Sequence, residues 1–233
     1  MSPRANDQID EAVVRKAPIF SGLDEAAASS LRSSMTYVKL RKGQSLFKEG
    51  DDGDHLFIVS NGKVKLGTKS PDGRENLLMI LGPGDMFGDL SLFDSGPRTA
   101  SAVAVTDTKL LSLGQDKVIP WVKEHPEVSL HLLARLASRL RRTNEVVGDL
   151  VFSDVPGRVA KALIDLGVKF GEKREEGLFV NHDLTQEELA QLVGASRETV
   201  NKALADFAQR GWLRLEARSV MILDYERMLR RGR

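Results

Sequence analysis

The period of hydrophobic and polar positions changes several times along this chain, and each change marks an element. Residues 8–34 read as two short helices, with Gly22 between them and Asp24 placed to cap the second. From 36 to 113 short β-leaning runs (YVKL, SLFK, HLFIVS, KVKLGT, LLMIL, ASAVAV, KLLSL) alternate with turn signals such as EGDDGD, SNG, SPDG and GPGD. Many short strands with regular Gly and Pro punctuation predict an antiparallel sandwich or barrel. A short helix over 116–123 precedes Pro126, and a long helix over 127–153 follows. In it Leu133, Leu136, Leu140, Thr143, Val147 and Leu150 recur at alternating spacings of three and four, a heptad seam. Leu132, Val146 and Val151 add a second apolar set, so the helix can pack on its own domain and on a twin.

Asp154 is placed to cap the next helix, with Pro156 in its first turn; the helix runs through Ala162 and Leu166 to Gly171. A charged loop GEKREEG and a short strand LFVN follow. WLRLEARSVMIL reads as a hairpin of two alternating runs around a Glu-Ala-Arg turn, a wing in this position. The expected fold class is α+β. A β-domain occupies 1–126, a dimerisation helix 127–153 and a winged helix-turn-helix 154–233.

The segment between strand and wing, TQEELAQLVGASRETVNKALADFAQRG over 185–211, spells two helices joined by a tight turn. Thr185 and Glu188 form a capping box. Leu189 and Val193 make a short apolar face, Ala190 is small where helices approach, and Gly194 permits the turn. Ser196 caps the second helix, whose buried stripe is Val200, Ala203, Leu204 and Phe207, and Gly211 closes it. Its first turns carry Arg197, Glu198, Thr199, Asn201 and Lys202, side chains able to hydrogen-bond base edges in a DNA major groove.

Composition changes this picture little. The chain has 233 residues, 41% hydrophobic and 29% charged, with net charge +1, so nothing global announces nucleic acid. The positive charge is local: residues 197–233 hold nine Lys or Arg against five Asp or Glu. With no cysteine, disulfides, zinc fingers and iron–sulfur ligation by thiolates are excluded. No signal peptide or membrane span is apparent, which implies a soluble, cytoplasmic protein without membrane partners.

GDMFGDLSLFDSGPRT, from Gly84 to Thr99, is the second constellation with chemistry. A short helix opening directly after a strand turns its unpaired amides into an anion site. Arg98 can bind phosphate oxygens bidentately, Thr99 adds a hydroxyl, and Asp89 can accept from a sugar hydroxyl. Taken alone, the glycines can equally be turns and Arg98 a surface charge.

Three motifs in order carry a resemblance: FGDLSLFDSGPRT, RLRRTNEVVGDLVFSDVPGR and SRETVNKAL. From about Arg15 onward the chain resembles the cyclic AMP receptor protein (catabolite activator protein) family of bacterial transcription regulators. The actinobacterial branch is most similar, through DGRENLL, DVPGRVAKAL and DLTQEELAQLVGASRETVNKALADFA. The resemblance implies a β-roll effector domain, a central dimerisation helix, a C-terminal winged helix, and cyclic AMP as effector with no metal. It implies that Gly88, Leu90, Ser91 and Arg98 hold the cyclic phosphate and that Thr99 supports it. Thr143 then meets adenine from the same subunit and Asn144 from the partner. A polar Thr143 inside an apolar seam has a reason to be there if two subunits share a ligand. On the recognition helix, capped by Ser196, the resemblance gives Arg197 and Lys202 to guanine, Glu198 to cytosine and Thr199 to a phosphate. The implied partners are a second copy of the chain, palindromic double-stranded DNA of TGTGA type, and RNA polymerase.

Two positions depart from the family. Asp89 stands where Glu is usual, keeping the charge and shortening the reach. Asn144 replaces a hydroxyl residue with an amide that still donates and accepts. Asp89 motivates an alternative of the same architecture, a regulator independent of cyclic AMP or gated by another small molecule. A cupin-like enzyme would need clustered histidines, yet only His55 falls in the β-region, and no P-loop, G-x-S-x-G or His-Glu-x-x-His occurs. No enzymatic activity is expected.

Overall fold

The computed structural model describes residues 11–233, so positions 8–10 of the expected first helix lie outside the described residues. The described residues form two compact units, one from those up to Thr68 with Met79–Leu140 and the other from Lys69–Leu78 with Arg141–Arg233.

The first unit begins with α1 (Glu11–Val14), a 3-10 turn (Pro18–Phe20) and α2 (Glu25–Ser33). Asp24 caps α2 by accepting from the Ala27 amide at 2.8 Å, as its position predicts. The strands are β1 (Thr36–Leu40), β2 (Ser45–Phe47), β3 (His55–Asn61), β4 (Val64–Lys69), β5 (Glu75–Leu81) and β6 (Met86–Phe87). After α3 (Leu90–Asp94) come β7 (Ser101–Ala104), β8 (Thr108–Gly114) and α4 (Gln115–Glu124). They make two four-stranded sheets, ordered β1-β8-β3-β6 and β2-β7-β4-β5. The two-residue β6 has no counterpart in the sequence reading, because two residues show no period. It forms by pairing antiparallel with Phe57 and Ile58 of β3.

β3 explains why HLFIVS lacks alternation. Phe57 and Val59 enter the core between the sheets with Leu40, Leu66, Leu81, Phe87 and Leu110. Leu56 and Ile58 face a second core with Phe20, Leu31, Leu113 and Trp121. A strand covered on both faces reads as a continuous apolar run.

α5 (Glu127–Phe152) is continuous over 26 residues. Its first turns bury Val128 and Leu132 in the second core. Much of the seam stays open among the described residues: Leu133, Leu140 and Val147 are 60%, 62% and 56% exposed, while Leu136 is half-buried. The expected second apolar set holds only for Leu132. Val146 and Val151 are 43% and 67% exposed and join neither core.

The second unit contains α6 (Val155–Phe170), β9 (Gly171–Arg174), β10 (Gly177–Val180), α7 (Gln186–Val193) and α8 (Arg197–Gln209). β11 (Leu213–Glu216), β12 (Ser219–Ile222) and α9 (Tyr225–Arg231) complete it. Asp154 caps α6 through the Gly157 amide at 2.9 Å. The sheet runs β11-β12-β10-β9, all antiparallel. Three expectations are corrected here. GEKREEG is a strand and turn, not a loop: β9 is an edge strand that pairs with β10 and carries charge on both faces, so no alternation announces it. In the wing hairpin Glu216 is still paired, with Ser219, leaving Ala217 and Arg218 as the turn. β12 is not alternating, because an interior strand is buried at all four positions. α9, which the sequence reading passed over, is signalled by the Asp224 cap and the arginines in its last turn.

Candidate functional site

The cradle is built around one buried cation. After β6 the chain turns at Gly88, whose φ of +79° suits glycine. A Cβ there would lie 2.8 Å from Arg98 Nη1 and 2.9 Å from the His55 carbonyl oxygen, so no side chain fits. Arg98 is only 5% exposed. Its Nη1 donates to the Gly88 carbonyl at 2.8 Å and to Ser91 Oγ at 3.0 Å, and Nη2 donates to the His55 carbonyl at 2.8 Å. The guanidinium lies 4.3 Å from the Phe47 ring centre. A guanidinium has five N–H donors, so these contacts leave two unspent, one of them on Nε, which has no hydrogen-bond partner among the described residues. Burial pushes the Arg98 pKa down, while the carboxylates of Asp54, Asp51 and Asp89 pull it back up.

Gly88, Asp89, Leu90, Ser91, Arg98 and Thr99 line one concavity, together with Phe47, Leu66, Ala100 and Arg139. The structure therefore brings the six cradle residues of the sequence reading together. Asp89 occupies the N-cap of α3 but spends no side-chain bond on capping. It is 6% exposed, and its Oδ1 has no hydrogen-bond partner among the described residues. Arg139 Nη1 approaches that oxygen to 3.6 Å, an ion pair without a hydrogen bond. Sequence reasoning missed Arg139. The available signal was its place four residues before Thr143, on the same helix face. Thr143 and Asn144 belong to the second unit and are exposed on α5.

The helix-turn-helix forms as its caps dictate. Thr185 Oγ1 accepts from the Glu188 amide at 3.1 Å, and Glu188 Oε2 accepts from the Thr185 amide at 2.8 Å. Gly194 ends α7 in the left-handed conformation, φ 69° and ψ 46°. Ser196 Oγ accepts from the Thr199 amide at 3.2 Å and lies 2.8 Å from Thr199 Oγ1. The Gly211 and Trp212 amides donate to the Ala208 and Phe207 carbonyls at 3.0 and 2.9 Å, closing α8 in a Schellman motif with Trp212 stacked on Phe207. Val200, Ala203, Leu204 and Phe207 are buried, as their spacing predicts. Ser196, Arg197, Glu198, Thr199 and Lys202 are exposed together on the first turns. Lys202 Nζ pairs with Glu198 Oε1 at 2.7 Å, both side chains open to solvent. The wing turn is tied to the start of this motif, since the Asp183 amide donates to the Arg218 carbonyl at 2.9 Å.

Among the described residues no helix is long and apolar enough to cross a membrane, and no group of three or more His, Cys, Asp or Glu is placed to hold a metal ion. A β-domain with a buried, partly unspent guanidinium, followed by a winged helix-turn-helix, defines a class of protein that couples a small anionic ligand to DNA. The comparisons with known proteins agree. Residues 37–125 match the cyclic nucleotide-binding domain and residues 157–231 the Crp-like helix-turn-helix domain. The chain is 54% identical, over 95% of its length and 99% of the relative's, to a CRP-like cAMP-activated global transcriptional regulator of Mycobacterium tuberculosis. It is 37% identical to the cyclic AMP receptor protein of Thermus thermophilus, over 91% of this chain and 94% of that one. The crystal structure of the Thermus thermophilus catabolite activator protein matches with a TM-score of 0.55 at 35% identity, covering 93% of this chain and 98% of that chain. The chain belongs to the CRP family of DNA-binding transcription regulators and stands with its actinobacterial members.

Proposed function

We propose that this protein is a homodimeric regulator that binds cyclic AMP in the β-domain and, so loaded, binds palindromic TGTGA-type DNA and engages RNA polymerase in the cytoplasm. The observation that carries the ligand half is Arg98: buried, fixed by three hydrogen bonds, and left with two donors to spend. A buried cation held this way suits a singly charged cyclic phosphate, which accepts through two oxygens. Gly88, Leu90 and Ser91 complete the phosphate site, Thr99 supports it, and Asp89 takes the ribose hydroxyl. Thr143 of the same subunit and Asn144 of the partner subunit close over adenine. The exposed seam of α5 supports a second copy as partner, because Leu133, Leu140 and Val147 are each more than half exposed among the described residues. Residues 1–126 then act as effector domain, 127–153 as dimer helix and 154–233 as DNA-binding domain. On α8, Arg197 and Lys202 donate to guanine, Glu198 accepts from cytosine, and Ser196 and Thr199 face the phosphate backbone.

Asp89 favours a second reading, another effector or none. Its Oδ1 is buried without a hydrogen bond, and Arg139 stands 3.6 Å away. Calorimetric titration of the purified protein with cyclic AMP, cyclic GMP as control, tests the first reading against the second. Saturable 1:1 binding of cyclic AMP per chain is expected, and no heat with cyclic AMP leaves the second reading standing. Asp89→Glu should tighten cyclic AMP binding by closing that gap.

A further inference from the structure

Two ion pairs and one arginine join the last turns of α5 to the reading head. Lys161 Nζ on α6 meets Asp149 Oδ2 on α5 at 2.5 Å, with the two side chains 28% and 24% exposed. Further from the joint, Arg142 Nη2 on α5 pairs with Asp165 Oδ2 on α6. The helices are separated only by Ser153 and Asp154, and the paired residues step away from that joint in opposite directions along the chain. α5 and α6 therefore fold back as an antiparallel hairpin bridged at two levels. One bridge leaves a pivot free, whereas two also set the rotation of one helix against the other.

Arg158 extends the connection. Its Nη1 donates to the Ser153 carbonyl at 2.7 Å, Nε to the Val193 carbonyl at 3.0 Å and Nη2 to the Gly194 carbonyl at 3.3 Å. It thus binds the end of α5 to the turn just before Ser196 and Arg197. Leu150 Cδ2 lies 3.0 Å from where a Gly194 Cβ would stand, so the same turn rests on α5 directly. Ion pairs that keep part of their surface in water add little stability, on the order of 0–1 kcal/mol each. Register is what such pairs are well placed to set. Arg142 also has Glu145 of its own helix at 3.5 Å, so leaving Asp165 does not strand its charge. Arg142 thus holds both carboxylates at once, Asp165 through Nη2 and Glu145 through Nη1.

We propose that Arg142–Asp165 and Asp149–Lys161 form a latch that makes the recognition helix follow the turn of α5 bearing Thr143 and Asn144. The four are positioning residues that transmit effector binding to DNA affinity. This inference rests on cyclic AMP acting as the effector. It is tested on the full-length protein with Asp149→Asn and Asp165→Asn, singly and together, and with the exchange Arg142→Asp plus Asp165→Arg. Fluorescence anisotropy on operator DNA with and without cyclic AMP gives the enhancement, and calorimetry with and without DNA gives the reciprocal one. Reciprocity requires the two factors to agree. The double variant should keep its cyclic AMP affinity in the absence of DNA within about twofold while both enhancements fall about fivefold or more, the range of a typical allosteric coupling. The exchange should restore most of the loss, which a general destabilisation would not allow. A double variant with the wild-type enhancement, or an exchange as uncoupled as the double variant, overturns the latch. A wild-type protein whose DNA affinity ignores cyclic AMP overturns the effector reading itself, and the latch with it.

Discussion

Arg98→Lys separates ligand recognition from folding better than Arg98→Ala does. Removing Arg98 altogether would disturb the fold as well as the ligand site, because the guanidinium donates to the carbonyls of Gly88 and His55 and lies on Phe47. Alanine would remove the side-chain donor to both carbonyls in a half-buried place, at up to about 1–3 kcal/mol each. Lysine keeps the charge and can reach one of them, so the expected loss is about 1–3 kcal/mol, a fall in melting temperature of a few degrees for a chain of this size. An ammonium cannot present the two-pronged face of a guanidinium. Losing one hydrogen bond to a charged group costs about 1.5–3 kcal/mol, which weakens cyclic AMP binding roughly 10- to 150-fold. The two effects are read independently. At a cyclic AMP concentration about 100 times the wild-type Kd, the ligand stabilises wild type by about 2.7 kcal/mol. A variant binding about 30-fold more weakly gains only about 0.9 kcal/mol at the same concentration, so its ligand-induced melting shift falls to about a third. Thermal melts with and without cyclic AMP, beside calorimetry, measure both quantities. A variant with wild-type Kd and an undiminished shift would refute the assignment of the phosphate to Arg98.

Glutamates at Leu136 and Leu140 place like charges in the α5 seam and should yield monomers; sedimentation that still finds a dimer removes the seam as the interface. Arg197→Ala should cost about 1–3 kcal/mol per half-site and relax preference at one guanine, whereas Thr199→Ala should weaken all sequences alike. Selection from randomised DNA distinguishes them, and unchanged base preference in Arg197→Ala would mean that α8 does not read bases as assigned. Half-sites should lie about 34 Å apart, a spacing taken from the helix-turn-helix dimers among which the catabolite activator protein is itself an example. Asp154 is held below the usual carboxylate range by its bond to Arg231 and by the Gly157 amide. A carboxylate with a depressed folded-state pKa adds stability above its unfolded value and loses it as pH falls through the folded one. The α6 cap should therefore be worth about 1 kcal/mol at pH 7 and fade as pH falls below the ordinary aspartate value of 3.8. Urea melts of wild type and Asp154→Ala that differ as much at pH 2.5 as at pH 7 would contradict this.

Local chemistry determined much of this protein before any packing is considered. Caps and turn residues act on their own neighbours, so Asp24, Asp154, Thr185 with Glu188, Gly194 and Ser196 sit where their sequence context puts them. The buried stripe of α8 follows from helical period alone, and the polar face opposite it follows with the stripe. Tertiary structure decided what depends on partners distant in the chain. β6 and β9 exist only because β3 and β10 offer a free edge, and neither carries a period of its own. Whether Arg98 was a surface charge or a built site was open in the sequence, since burial comes from Phe47, His55 and Gly88 folding around it. Arg139 joined the site for the same reason: nothing in its neighbours along the chain speaks of Asp89, which lies fifty residues earlier and reaches it only through the fold. The apolar set of α5 divided likewise, Leu132 into a core and Val146 and Val151 into the open, because a helix period says which residues share a face but not which of them a partner element covers.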